Sequence, residues 1–238
     1  MNLLAPKLHL SEHFDSIQGE GKTAGYPAIF WRFKGCVLQC IWCDTVEVWK
    51  KGTAYTFEEI YDLFNQSGYF KLLNSAKRML VVTGGDPLIQ QEKIADFFEF
   101  CAQRGEQVGN WRIEVETQGS LLPSSRFASY VSQWNVSPKL TNSGMPLEKR
   151  IVPAVVTKLR GYNSIFKFPV IHEQDLLEVQ DYLAQFNIPA NRVWLMPVAS
   201  TRLEHEVNGL YVISLCMEYG YRYSPRLQLV FWNRATGV

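Results

Sequence analysis

The sequence predicts an α/β protein folded as one domain over residues 1–238, a partial (β/α) barrel with mostly parallel strands. Three observations predict it. Short apolar runs alternate with amphipathic helical segments along most of the chain, which calls for a parallel sheet connected through helices. The residues with distinctive chemistry, a cysteine loop and a Gly-Gly pair, follow directly on such runs, at the C-terminal strand ends where (β/α) folds carry function. With 238 residues and 47% hydrophobic content, the chain can bury one large core, and its glycines and prolines are scattered as punctuation without forming a linker.

In chain order, "AIFWRFKG" (28–35) is a short apolar run that fits a buried strand delivering the cysteine loop. "TFEEIYDLFNQ" (56–66) opens with a Thr cap and places Phe57, Ile60, Tyr61 and Phe64 on one face, so it reads as a helix. "RMLVVTGG" (78–85) is a strand ending in glycines, "EKIADFFEFCAQRG" (92–105) an amphipathic helix stopped by Gly105, and "WRIEVETQG" (111–119) a strand. "YVSQWNVSP" (130–138), "SIFKFPV" (164–170), "RVWLMPV" (192–198) and "RLQLVFW" (226–232) read as further strands, the last in a region, 221–238, that completes the fold. "EQDLLEVQDYLAQFN" (173–187) and "GLYVISLCMEYG" (209–220) read as helices between them.

Charge and compartment narrow the function classes. Basic side chains number 24 and acidic ones 23, a balance that argues against a broad polyanion-binding surface and against direct nucleic-acid recognition. "MNLLAPKLHLSEHFDS" turns polar too soon for a signal peptide, and no apolar stretch approaches the length of a membrane span, so a cytoplasmic location is expected. An odd cysteine count in a reducing compartment points to a metal site or reactive thiols instead of a disulfide framework.

Three of the five cysteines, Cys36, Cys40 and Cys43, lie within "GCVLQCIWCDT" (35–45), spaced by three and then two residues; Cys101 and Cys216 fall in apolar helical segments. Gly35, Trp42 and Asp44 give this stretch loop chemistry and no strand or helix period. A zinc site takes four ligands, commonly as two pairs, and no second pair of cysteines or histidines accompanies this one. Three thiolates on a four-iron cluster leave one iron open for a substrate or cofactor.

The C-x3-C-x2-C spacing with Trp42 before the last cysteine resembles the signature of radical S-adenosylmethionine enzymes. By that resemblance the three cysteines hold a 4Fe-4S cluster whose open iron chelates S-adenosylmethionine, and one electron releases a 5′-deoxyadenosyl radical. "VVTGGDP" (81–87) is similar to the Gly-Gly-Glu-Pro segment of that superfamily, here with Asp86 as the acid. Glycine lets main chain approach a ligand without a Cβ in the way.

Over "HFDSIQGEGKTAGYPAIFWRFKGC", and again at "CDT", "ETQG" (116–119), "VSPKL" (136–140) and "LMP" (195–197), the chain resembles the 7-carboxy-7-deazaguanine synthase family. That resemblance implies a single radical S-adenosylmethionine domain. The implied reaction is ring contraction of 6-carboxy-5,6,7,8-tetrahydropterin to 7-carboxy-7-deazaguanine with loss of ammonia, in queuosine and related 7-deazapurine biosynthesis. It implies Mg²⁺ on the substrate carboxylate, an electron donor such as flavodoxin or ferredoxin, and a homodimer, without direct nucleic-acid or membrane contact.

Carried onto this sequence, Ile17, Gln18 and Gly19 are expected to bind the pterin edge, the Gln amide offering donor and acceptor. Arg32 is expected to grip the substrate carboxylate through its fork of donors. Thr83 and Glu116 complete the substrate set. Trp42, Gly84, Gly85, Ser137, Pro138 and Lys139 are expected at S-adenosylmethionine, and Thr45 as the Mg²⁺ ligand, a hard oxygen donor for a hard ion. Two positions depart from the family pattern: Val198, Ala199 and Ser200 stand where a Gly is expected, and Gln228 where a His is frequent. His9 lies in the N-terminal arm, and His13, His172 and His205 read as surface or structural residues.

The cysteine motif alone leaves three other classes open: a radical activating enzyme that acts on a partner protein, a non-enzymatic zinc or redox-sensing module, and a radical enzyme acting on nucleic acid. The "IQGEG" stretch has no purpose in the first, iron content separates the second, and the neutral charge counts against the third.

Overall fold

The computed structural model describes residues 6–43, 45–233, 235 and 237. Its nine strands are β1 (Lys7–Ile17), β2 (Pro27–Phe33), β3 (Thr53–Thr56), β4 (Met79–Gly84), β5 (Ile113–Thr117), β6 (Gln133–Val136), β7 (Ser164–Val170), β8 (Val193–Pro197) and β9 (Arg222–Tyr223). They form one open sheet in the order β3-β1-β2-β4-β5-β6-β7-β8-β9. Pairing is parallel from β2 through β9, while β1 runs antiparallel to both β2 and β3. The result is the mostly parallel, unclosed barrel expected.

The period of two along each strand sorts side chains onto two faces. Ile29, Trp31 and Phe33 of β2, Leu80 and Val82 of β4, Ile113 and Val115 of β5, and Phe166, Phe168 and Val170 of β7 pack outward into one large core with the helices. That core takes the apolar faces of the Phe57–Gln66 helix (Phe57, Ile60, Phe64) and the Gln91–Gln103 helix (Ile94, Ala95, Phe97, Phe98, Cys101). The first of these starts in a capping box: Glu59 N–H donates to Thr56 Oγ1 over 3.3 Å and Thr56 N–H to Glu59 Oε2 over 2.7 Å.

On the inner face, Ala28, Phe30, Met79 and Val81 make a small apolar floor at the strand beginnings. One step further along each strand the same face turns polar, with Arg32, Thr83, Glu116, Asn135 and Lys167. A parallel strand buried on both sides is expected to be apolar throughout, so these residues mark where something other than packing is served.

The helix read over 209–220 runs from Arg202 to Tyr219, and three further differences from the sequence expectation bear on the site. "RLQLVFW" forms a helix, Leu227–Trp232, not a strand, and among the described residues of the 221–238 region only Arg222–Tyr223 joins the sheet. Tertiary anchors decide this: Leu227 N–H donates to Gly19 O over 3.0 Å, and Gln228 Nε2 to Glu20 over 2.7 Å, which a strand register would not allow together. The 130–138 strand shortens to Gln133–Val136 because Tyr130 and Val131 close the turn after the Ser125–Ala128 helix. The stretch Lys7–Ile17, which contains His9 of the N-terminal arm, is an eleven-residue strand whose alternation with polar residues suits a partly solvated antiparallel position.

Candidate active site

The polar ends of the inner face line a cavity of about 530 Å³, within the usual range for a small-molecule site. Cys36, Cys40 and Cys43 stand on its wall, half-buried and unbridged. Leu38 N–H donates to Cys36 Sγ over 3.4 Å and Trp49 Nε1 to Cys43 Sγ over 3.5 Å, the kind of N–H···S contacts that support thiolates. Burial pushes the Cys36 thiol up to about 11 and raises Cys40, so these thiols need a positive group to ionise. Among the described residues no three His, Cys, Asp or Glu side chains are placed to hold a single metal ion. Three loop thiols lining one cavity are the donor set of a cluster that keeps one iron open. Asp44, quoted with this loop, lies outside the described residues.

The Gly-Gly segment packs directly against the cysteine loop. A Cβ on Gly85 would lie 2.2 Å from Gly35 O and 2.7 Å from Cys36 Cβ; one on Gly84, at φ +141°, would lie 2.2 Å from Phe33 O. Only glycine fits either position. Asp86 then ties the loop in place: fully buried, it accepts from Leu88 N–H (3.0 Å), Thr117 Oγ1 (2.9 Å) and Gln118 N–H (3.2 Å). Burial pushes its carboxyl up to about 6 in spite of those donors. The acid of the Gly-Gly-Asp-Pro segment is therefore a brace between β4 and β5.

Above the cysteines, Lys139 Nζ donates to Ser137 Oγ over 2.9 Å and sits 5.5 Å from the Trp42 ring, whose Nε1 donates to Asn142 Oδ1 over 3.1 Å. Burial lowers the Lys139 ammonium, and the Cys40 thiol opposite acts against that. Trp42, Gly84, Gly85, Ser137 and Lys139 all line the cavity; Pro138 is buried beside them and is not part of the lining. Thr45 also lines it, with its Oγ1 3.7 Å from Cys43 Sγ.

Ile17, Gln18, Gly19, Arg32, Thr83 and Glu116 line the same cavity. Glu116 Oε2 accepts from Thr83 Oγ1 over 2.9 Å. Gln18 Nε2 donates both to Glu116 Oε1 (3.2 Å) and to the buried Glu114 Oε1 (2.7 Å), while its Oε1 accepts from Glu20 N–H (3.2 Å). The Gln18 amide is thus committed inside the protein, as are its main-chain N–H, which donates to Tyr26 O over 2.8 Å, and its C=O, which accepts from Gly25 N–H over 2.7 Å. Arg32 Nε lies 2.8 Å from Glu12 Oε1, its partner across β1 and β2. The contact lies off the N–H axis, so Nε has no directed hydrogen bond. The pair is ionic, and both Arg32 and Glu12 line the cavity.

Sequence reasoning did not single out the cluster around Glu20. Its carboxylate pairs with Lys167 Nζ of β7 and with Arg226 Nε (3.2 Å), and accepts from Gln228 Nε2 (2.7 Å). Burial opposes the charge, but Lys167 and Arg226 outweigh it and hold Glu20 down at about 2. A lysine in the middle of the wholly buried strand SIFKFPV was the available signal. Gln228 itself lines the cavity, and Val198 and Ser200 of the departing loop do too. His205 is structural: it is buried and takes the Arg226 N–H over 3.3 Å.

Compared with known proteins, residues 32–133 match the radical SAM superfamily. The chain is 34% identical to a 7-carboxy-7-deazaguanine synthase of Pyrobaculum aerophilum over 98% of both proteins. It is 32% identical to one of Hyperthermus butylicus, over 94% of this chain and 92% of that one. The crystal structure of QueE from Escherichia coli shares the fold at a TM-score of 0.67 and 24% identity, covering 92% of this chain and 93% of the other. End-to-end similarity of this kind, over a chain that sets three loop thiols and a Gly-Gly shelf into one barrel mouth, places the protein in the 7-carboxy-7-deazaguanine synthase family of the radical SAM superfamily.

Proposed function

We propose that this protein converts 6-carboxy-5,6,7,8-tetrahydropterin to 7-carboxy-7-deazaguanine with release of ammonia, acting as a carbon–nitrogen lyase in 7-deazapurine biosynthesis. One observation carries the reading: the cysteine loop shares a single cavity with a cation, Arg32, and an acceptor, Glu116. When bound, a 4Fe-4S cluster on Cys36, Cys40 and Cys43 supplies one-electron cleavage of S-adenosylmethionine and hence hydrogen-atom abstraction. Everything else asked of the chain is positioning and the exclusion of water.

Trp42, the Gly84–Gly85 shelf, Ser137 and Lys139, with Pro138 buried beside them, would hold S-adenosylmethionine at the cluster. Arg32 binds the substrate carboxylate, and Thr45 would hold the Mg²⁺ ion, whose charge would help to neutralise that carboxylate. Ile17, Gly19 and Thr83 border the pterin ring, and Glu116 accepts from its guanidine-like N–H groups. The half-buried cavity shields the reaction from solvent. An electron donor of the flavodoxin or ferredoxin class, a homodimer and a cytoplasmic location accompany this reading, and no helix among the described residues is long and apolar enough to cross a membrane.

The test is anaerobic turnover: iron-loaded protein, S-adenosylmethionine, dithionite, Mg²⁺ and the carboxytetrahydropterin should yield the deazaguanine product and 5′-deoxyadenosine. An intact cluster that cleaves S-adenosylmethionine yet gives no deazaguanine would refute the assignment.

A further inference from the structure

Two inner-face side chains have no task in the scheme above. Glu114 and Asn135 are both fully buried, on adjacent strands. Glu114 accepts from Gln18 Nε2 (2.7 Å), Asn135 Nδ2 (2.6 Å) and Thr23 Oγ1 (2.7 Å), and it is not part of the cavity lining. Asn135 does line the cavity, and its Oδ1 is buried without a hydrogen-bond partner among the described residues. Turning the amide over would not relieve this, because it would set a carbonyl oxygen against the Glu114 carboxyl and strand an N–H₂ instead. The orientation is therefore fixed by Glu114, and the orphan is an acceptor. An orphaned buried acceptor in the wall of a binding cavity calls for a donor brought by the ligand.

Asn135 is the register partner of Glu116 across β5 and β6, so the two side chains stand next to each other on the inner face. Two neighbouring acceptors, one an amide carbonyl and one a carboxylate, read two neighbouring N–H groups. In a pterin those are the 2-amino group and the adjacent ring N3–H. A ligand with a carbonyl at that position would set oxygen against oxygen.

We propose that Asn135 is a specificity-determining residue whose Oδ1 accepts an N–H from the 2-amino-pyrimidinone edge of the substrate, beside Glu116. Glu114 is the positioning residue that locks the Asn135 amide in this sense and, through Gln18, holds Glu116 next to it. The inference rests on the pterin reading given above and deepens it.

Isothermal titration on cluster-loaded protein tests it, with two ligands: 6-carboxytetrahydropterin and its counterpart carrying a carbonyl in place of the 2-amino group. The parent protein should prefer the amino compound by roughly a hundredfold or more, as sites built to satisfy a hydrogen bond do. Asn135→Ala should shrink that preference at least roughly tenfold, leaving S-adenosylmethionine affinity within about twofold. Asn135→Ser, which keeps a short acceptor, should fall between them. Glu114→Leu should shrink the preference as well, because it removes the Oε1 acceptor that holds the Asn135 amide in this sense. A purely structural role would lower both pterins and S-adenosylmethionine together and leave the ratio alone. An unchanged ratio in folded Asn135→Ala or Asn135→Ser, in a parent that converts the pterin, overturns this inference and spares the proposed function. A parent that neither binds nor converts the pterin overturns both.

Discussion

Glu20→Gln keeps the shape of the side chain and removes its charge, taking from Lys167 and Arg226 the carboxylate they share and leaving Lys167 with Glu116, 4.0 Å away. The side chains are 14%, 5% and 8% exposed, so water replaces little of what is lost. The fall of Glu20 from 4.5 to about 2 corresponds to about 3 kcal/mol at 1.36 kcal/mol per tenfold. Removing one member of a buried ion pair costs about 3–5 kcal/mol by general experience, the same range. At about 2–4 °C per kcal/mol for a chain of this size, the Tm should drop by roughly 6–12 °C. Because the folded-state value is depressed, this stability is present above pH 4.5 and disappears as pH falls through about 2. The gap between parent and variant should therefore close on acidification. Adding Lys167→Met, which removes one stranded cation, should recover a large part of the loss. Thermal unfolding of the four proteins of this cycle from pH 7 down to pH 3 reads all three effects. A drop under about 2 °C at pH 7, or no recovery from Lys167→Met, would refute the claim that the charge cluster holds this side of the cavity together.

Changing any one of Cys36, Cys40 or Cys43 to Ala should abolish the brown chromophore, whereas Cys101→Ala and Cys216→Ala, which alter thiols buried in the core, should keep it; full iron in Cys40→Ala would contradict the cluster assignment. Arg32→Ala should weaken pterin binding by at least about tenfold with S-adenosylmethionine nearly unaffected, and Arg32→Lys should restore only part, since an ammonium lacks the planar fork. Equal losses for both ligands by titration would make Arg32 structural. Thr45→Ala should reduce Mg²⁺ stimulation and pterin affinity together, and a parent indifferent to Mg²⁺ would rule that role out. Asp86 sits at about 6 against an ordinary 3.8, so its contribution is present below 3.8 and is lost as pH rises through about 6. Asp86→Asn should flatten that part of the Tm profile between pH 4 and 7, and superimposable slopes would show the carboxyl is not buried as described.

The parts of this molecule that were readable in the sequence are those whose meaning is local. AIFWRF and MLVV are apolar enough to be strands in any context, and Thr56 with Glu59 announces a helix start by itself. The cysteine spacing and the Gly-Gly-Asp-Pro turn likewise carry their chemistry within a few residues. Misreadings occurred where a distant contact decides. RLQLVFW is as good a strand as a helix until Gly19 and Glu20 fix Leu227 and Gln228. KLHLSEHFDSI was passed over because its polar alternate positions hide a strand that is only half covered. In the site, Glu116 was found through a motif, but Asn135, Lys167 and Arg226 are single polar residues whose significance depends on the neighbour that another strand brings. Gln18 shows the converse: it was visible as part of Gln-Gly-Glu-Gly, while its occupation by Glu114 and Glu116 was not.

The clasp between the 19–21 loop and residues 224–228 joins chain segments about two hundred positions apart. Leu227 N–H to Gly19 O and Gly21 N–H to Ser224 Oγ, at 3.0 and 2.8 Å, sit beside the Glu20 cluster. The open sheet thus leaves one side of its mouth to be finished by polar contacts between the two ends of the protein. During synthesis the first strands and their helices can pack as soon as they emerge, but the pocket stays unfinished until residues 224–228 have been made. Closure over so long a separation is the slow, entropically costly kind, so the binding site is expected to be the final part of the molecule to acquire its native form and the first to lose it when the end of the chain is cut back.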